Sequence, residues 1–433
     1  MRASGFPTRF AVLATAAGLT MTCALPANAD TAPPLPSPVY ATTALQSIPV
    51  EQIAADACNT LIPTEDAPDE TPWHLSRLNM EETWKLATGK GVKIAVIDTG
   101  IQVNGSEYTP TRRFSAYNVL PPLQNANPSD KWECLHGTFV ASLAAAQSVD
   151  GPTQFSGIAP DAQIIGVRAL YGTSAQELDG VIAAVRAAIA MHVDVINISQ
   201  AANLNRGEYA DAIKAALDAG IIVVAAAGNA NDMGGAPLAY PAAYPGVISV
   251  GMTDAADVAS PNSMSMPGRV SVAAPGVDLT GLAPSATATG QVYAYGQTGT
   301  SYAAPIVSGL AALLIQHARD TGVKLTPADV KQILEQSADP PAGPVPDDQL
   351  GHGIVNPVRA LAGVAPVHND HVPSPTNTAA PDDRPPPPRR SKAALQAALV
   401  VAALTFAGVI IGVGLKVALP AARKRAGQPA EKD

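Results

Sequence analysis

Four short segments carry residue types that can act together in nucleophilic catalysis. Ser301 stands in Gly299-Thr300-Ser301-Tyr302-Ala303-Ala304-Pro305, just ahead of an apolar run at 306–315. A serine hydroxyl is a poor nucleophile until a neighbouring base takes its proton. His136, in Leu135-His136-Gly137-Thr138-Phe139-Val140-Ala141, supplies an imidazole for that task. Asp98 closes Ile94-Ala95-Val96-Ile97-Asp98-Thr99-Gly100. A carboxylate there can fix the imidazole tautomer and stabilise the imidazolium. Asn229, in Ala225-Ala226-Ala227-Gly228-Asn229, can donate a side-chain N–H to an oxyanion. Taken singly, each has a plainer reading: turn residues for Asp98 and Asn229, a structural histidine, a helix-capping serine. The order Asp, His, Ser is one of the recurring orders of a catalytic triad. A capping role also leaves Pro305 unexplained, since proline has no N–H to give to a helix.

The elements that must hold these residues follow from the hydrophobic pattern. Apolar runs at 92–97, 163–168, 193–198, 221–226 and 247–251 predict strands. They are apolar throughout, as strands covered by helices on both faces are. Helical periodicity predicts helices over 136–146, 176–191, 206–219, 300–318 and 327–337. Strands alternating with helices predict an α/β domain with a mainly parallel sheet over residues 72–362. Asp98 and Asn229 then sit just past strand ends, while His136 and Ser301 sit at helix starts. Ser301's own N–H would point outward there, where the helix dipole favours negative charge.

Other chemistries fit less well. Asp98-Thr99-Gly100 and Asp320-Thr321-Gly322 could suggest a two-carboxylate protease, but Asp320 ends a long helix and Gly322 reads as its stop. No His-Glu-x-x-His occurs, and no ligand set for a metal or cofactor is legible. The formal charge of −9 lacks the basic face that a nucleic-acid binder needs. The acidic patch Glu65-Asp66 with Asp69-Glu70 reads as a solvated loop.

Only 15% of the 433 residues are charged, and 40 are proline, which points to membrane and linker segments around the domain. Residues 1–29 read as a signal peptide: Arg2 and Arg9, an apolar stretch, then Ala27-Asn28-Ala29 before Asp30. Residues 30–71 read as an irregular extension. Residues 363–392 form a Pro-rich linker with four prolines at 385–388. Residues 393–419 contain an uncharged apolar stretch of about the length that crosses a bilayer. Arg389, Arg390 and Lys392 flank it on one side and Arg423, Lys424 and Arg425 on the other. Export of the N-terminus would leave 420–433 in the cytoplasm and the domain on the extracytoplasmic (periplasmic) side of the cell membrane. Of three cysteines, Cys23 falls in the signal segment, which leaves Cys58 and Cys134.

The four catalytic segments resemble the signature segments of subtilisin-like serine proteases. The resemblance spans about residues 72–362. It implies a three-layer α/β fold, with Asp98, His136 and Ser301 as triad and Asn229 with the Ser301 N–H as oxyanion donors. It also implies that Ser199, Gln200 and Ala201, with Gly228, line the substrate site. Subtilisins usually carry Gly where this chain has Ala201 and Ala202, so a preference for small P1 residues is expected. The outer layout resembles the membrane-anchored mycosins of type VII secretion systems. That implies an endopeptidase acting on selected secreted proteins at a secretion membrane complex. A mainly scaffolding role and a general surface protease are the alternatives. The extension is short for a domain with its own core. It is therefore expected to stay attached, tied by a Cys58–Cys134 disulfide whose closed loop would contribute about 4 kcal/mol.

Overall fold

The computed structural model describes residues 68–103, 108–120, 135–147, 155–170, 178–284 and 292–364. The signal segment, most of the extension, both cysteines of the expected disulfide, the linker and the apolar stretch 393–419 lie outside these residues.

Two short helices lead in, α1 (Trp73–Arg77) and α2 (Met80–Trp84). Strands β1 (Lys93–Asp98) and β2 (Phe114–Asn118) precede α3 (Leu135–Ala145). Then β3 (Gln163–Arg168), α4 (Leu178–Ala190), β4 (Val195–Ile198), α5 (Gly207–Asp218) and β5 (Ile222–Ala226) alternate. Strands β6 (Ile248–Thr253), β7 (Val272–Pro275), β8 (Leu279–Ala283) and β9 (Val292–Gln297) follow. The long helix α6 (Thr300–Asp320), then α7 (Pro327–Ser337) and α8 (Pro357–Ala362), complete the described chain.

Seven parallel strands form one sheet in the order β2-β3-β1-β4-β5-β6-β7, and β8 pairs antiparallel with β9. The chain runs outward from β1 to one edge, then returns to its other side at β4. The strand order therefore reverses at β1 and β4, and ligands of open α/β sheets bind beyond the carboxyl ends at such a point.

Side chains alternate faces along a strand. On β1, Ile94 and Val96 join the core beneath α3 and α6, while Ala95 and Ile97 join the core beneath α4 and α5. The same period puts Asp98 on the α3 and α6 face. On β4, Val195 belongs to that face too, so Asn197 and Ser199 follow it there. This alternation turns all three side chains toward the helices that carry His136 and Ser301.

The predicted strands and helices all form, with ends shifted by at most two residues. Pattern reading missed β2, β7, β8, β9 and the three short helices. β2 is an edge strand in which, after the buried Phe114, side chains alternate between half-buried and exposed. β7 ends in a proline, and β8 carries Gly281 against the Phe139 ring, so neither has the unbroken apolar run used to find strands. Among the described residues only α6 is long and apolar enough to cross a membrane, but it is buried along most of its length in the core.

His74 of α1 is fully buried, and neither ring nitrogen has a hydrogen-bond partner among the described residues. Desolvation lowers its pKa from 6.5 to about 3. The unfolded chain takes up this proton below about 6.5, whereas the folded chain excludes it until about 3. Stability is therefore complete above that upper value and falls with pH across the window, by up to ~1.4 kcal/mol per pH unit. His74→Leu should remove about 2–3 kcal/mol of the stability difference between pH 7 and pH 4.5, read from urea midpoints. An unchanged difference would mean that His74 is protonated within the fold.

Candidate active site

Asp98 ends β1 and is wholly buried. Its Oδ1 accepts from the Thr99 backbone N–H at 2.7 Å and from Thr99 Oγ1 at 3.1 Å. Thr99 Oγ1 in turn accepts from the Gly137 N–H at 3.2 Å. One threonine thus ties the carboxylate to the start of α3.

His136 is the second residue of α3. Its Nδ1 lies 2.8 Å from Asp98 Oδ1 and 3.0 Å from Oδ2. Nδ1 carries the proton when it faces a carboxylate, which leaves Nε2 as the basic nitrogen. This approach needs glycine at 137. A Cβ there would stand 2.0 Å from the Gly100 carbonyl oxygen and 3.2 Å from Asp98 Oδ1. Gly137→Ala should therefore lower stability by roughly 1–3 kcal/mol, the usual cost of overpacking a close contact. The thermal midpoint of the full chain checks this, and an unchanged midpoint would mean that the helix shifts freely.

Ser301 is the second residue of α6, and its neighbour Tyr302 stacks against the His136 ring with centroids 5.5 Å apart. Tyr302 also packs on Phe139 of α3, centroids 4.8 Å apart. The start of α6 is thereby pressed against the start of α3. Pro305 now has an explanation. A residue at that position would donate its N–H to the carbonyl four residues earlier, that of Ser301. Proline cannot, so the Ser301 carbonyl is free, and Ser199 Oγ donates to it at 2.6 Å. Asn197 Nδ2 donates to Ser199 Oγ at 2.9 Å, and Ser308 Oγ donates to Asn197 Oδ1 at 2.8 Å. A buried polar chain therefore fastens the helix start to β4.

Asn229 follows β5. Its Oδ1 accepts from the Thr300 N–H and from Thr300 Oγ1, each at 3.1 Å. Gly228 adopts φ 100°, a conformation that L side chains rarely take. A Cβ on Gly228 would meet Ala201 Cβ at 3.1 Å, Ala239 Cβ at 3.2 Å and Met264 Sδ at 3.3 Å.

The structure thus joins Asp98 directly to His136, sets Tyr302, the neighbour of Ser301, on the His136 ring, and bonds Asn229 to Thr300 on the other side of Ser301. Ser199 spends its hydroxyl on the Ser301 carbonyl. Gln200 and Ala201 are half-buried just past β4, and Ala202 pairs with Tyr240 through two backbone bonds of 2.8 Å. Sequence reasoning gave no role to Thr99, Thr300, Ala239, Met264 or Asp232. Thr99 and Thr300 each adjoin a singled-out residue, and that adjacency was the available signal. Nothing near Ala239 or Met264 in the sequence marks them. Among the described residues no group of three His, Cys, Asp or Glu is placed to hold a metal ion.

The chain belongs to the subtilase family, peptidase S8, whose match covers residues 89–353. It is 32% identical to mycosin-1 of Mycobacterium tuberculosis H37Rv over 84% of this chain and 91% of that protein. It is also 32% identical to the minor extracellular protease Epr of Bacillus subtilis 168, over 67% of this chain but only 42% of Epr's length. Among solved structures it is similar to MycP3 protease from the type VII (ESX-3) secretion system. That likeness has a TM-score of 0.58 and 28% identity, and covers 70% of this chain and 93% of the other.

Proposed function

We propose that the chain is a membrane-anchored, extracytoplasmic serine endopeptidase. The observation that carries this reading is the His136 Nδ1 held against both Asp98 oxygens, with its ring packed on the residue next to Ser301. Ser301 Oγ attacks the carbonyl carbon of the scissile peptide as His136 Nε2 removes its proton. Asp98 accepts the Nδ1–H bond and stabilises the imidazolium. Asn229 Nδ2 and the Ser301 N–H donate to the tetrahedral oxyanion. The intermediate collapses as His136 returns the proton to the leaving amine, giving an acyl-enzyme. Water, deprotonated by His136, then attacks the ester and frees Ser301.

Residues 1–29 would direct export, 72–362 form the catalytic domain, and 393–419 anchor it, with 363–392 as spacer and 420–433 as the inner tail. The similarity to mycosin-1 and to a protease of a type VII system supports action on a few proteins exported by such a system. Labelling of the full chain by a fluorophosphonate, lost in Ser301→Ala, tests the catalytic reading. Absence of labelling in the parent would overturn it.

The walls around Gly228 supply the specificity. Ala201, Ala239 and Met264 stand 3.1–3.3 Å from where a Gly228 Cβ would lie, so little depth remains there for a P1 side chain. Hydrolysis of succinyl-Ala-Ala-Pro-Ala p-nitroanilide should exceed that of the Phe analogue by at least about tenfold in kcat/KM, the scale on which apolar pockets discriminate. The double change Ala201→Gly with Ala239→Gly should narrow that ratio. Faster cleavage after Phe by the parent would defeat the assignment.

A further inference from the structure

Asn229 is useful as an oxyanion donor only if its amide faces the right way. A carboxamide has a donor end and an acceptor end of nearly equal shape, so the neighbours decide its orientation. On one side stands the Thr300 backbone N–H, which can only donate, 3.1 Å from Oδ1. On the other stands the Asp232 carboxylate, with Oδ2 2.9 Å from Nδ2. An ionised carboxylate can only accept. A flipped amide would set its oxygen against the carboxylate and its NH2 against the N–H, losing both bonds. One Nδ2 hydrogen is taken by Asp232, and the second is left for an oxyanion.

The turn that presents Asp232 is itself held. The Asp232 N–H donates to the Asn229 carbonyl at 3.0 Å, closing the turn on itself. The Ala230 N–H donates to the Asn262 carbonyl at 2.8 Å, and the Asn231 N–H to Asn262 Oδ1 at 3.0 Å. Asn229 also forms an isolated antiparallel bridge with Ser263. The carboxylate therefore sits on a fixed platform beside the amide, although its own side chain is exposed.

We propose that Asp232 is a positioning residue for the oxyanion hole, acting on catalysis only through the Asn229 amide. This rests on the reading of Asn229 as an oxyanion donor. The two can fail separately, and a double-substitution cycle tells them apart. The second-order rate of fluorophosphonate labelling is the readout, because the phosphoryl oxygen of that reagent occupies the oxyanion position. It would be measured on the full chain and on Asn229→Ala, Asp232→Ala, Asp232→Asn and Asn229→Ala with Asp232→Ala. Asn229→Ala should slow labelling by about 10²–10³. Asp232→Ala should slow it about three- to tenfold with an unchanged thermal midpoint. Asp232→Asn, which keeps an acceptor oxygen, should recover most of that loss. In the Asn229→Ala background Asp232→Ala should change the rate by less than twofold. An undiminished Asp232→Ala effect in that background, or none in the parent, overturns the positioning role while leaving Asn229 in place. No effect of Asn229→Ala overturns both.

Discussion

Replacing Ser301 by alanine is expected to lower kcat by about 10⁶, the loss measured when the triad serine of subtilisin itself is removed. The fold should not change with it. What Ser301 gives to the structure is its backbone carbonyl, bonded to Ser199 Oγ, and alanine keeps that carbonyl. Alanine is also the better helix former. Thermal unfolding of parent and variant should therefore coincide while turnover collapses and fluorophosphonate labelling disappears. Residual activity about 10³–10⁴ above water is expected, from the oxyanion donors and binding that remain. A variant that still turned over within a hundredfold of the parent would mean that another group attacks the peptide bond.

Asp98→Asn should cost about 10⁴ in kcat for a different reason. The Thr99 N–H donates to Oδ1 at 2.7 Å and forces an acceptor to stay at that position. The new amide oxygen must take it. The NH2 then occupies the Oδ2 position, 3.0 Å from His136 Nδ1 in the parent. It would donate to Nδ1, so the proton of the neutral ring moves to Nε2, the nitrogen that must accept from Ser301. Geometry is retained and the tautomer is wrong. Raising the pH should not restore the rate, since both groups are then neutral in the unproductive arrangement. Rates measured from pH 6 to 10 check this, and recovery to within tenfold of the parent would exclude the tautomer explanation.

The strands β1, β3, β4, β5 and β6 and the helices α3 to α7 were legible because each is a long apolar or periodic run. Asp98, His136, Ser301 and Asn229 were legible because their neighbours are distinctive: glycine and threonine after the aspartate and histidine, small residues around the serine. Contacts made across the sheet were not. Ala239 and Met264 come from segments with no pattern of their own, and only folding sets them around Gly228. The same holds for the Asn197, Ser199 and Ser308 chain, whose members look in sequence like ordinary polar residues. Pro305 was visible as an anomaly, yet its meaning required knowing that β4 runs beneath Ser301. His74 gave no sign at all, because burial of a lone histidine depends on what α1 packs against.

The bond from Ser199 to the Ser301 carbonyl has a consequence for the order of events in a living cell. Ser301 lies about 200 residues after Asp98, and both α6 and β4 must dock before that bond exists. A chain threaded outward with its N-terminus leading would deliver the acid and the base long before the nucleophile. Throughout that passage it would be harmless to itself and to its neighbours in the translocation path. Proteolytic competence would switch on as a late event, when α6 closes over the sheet.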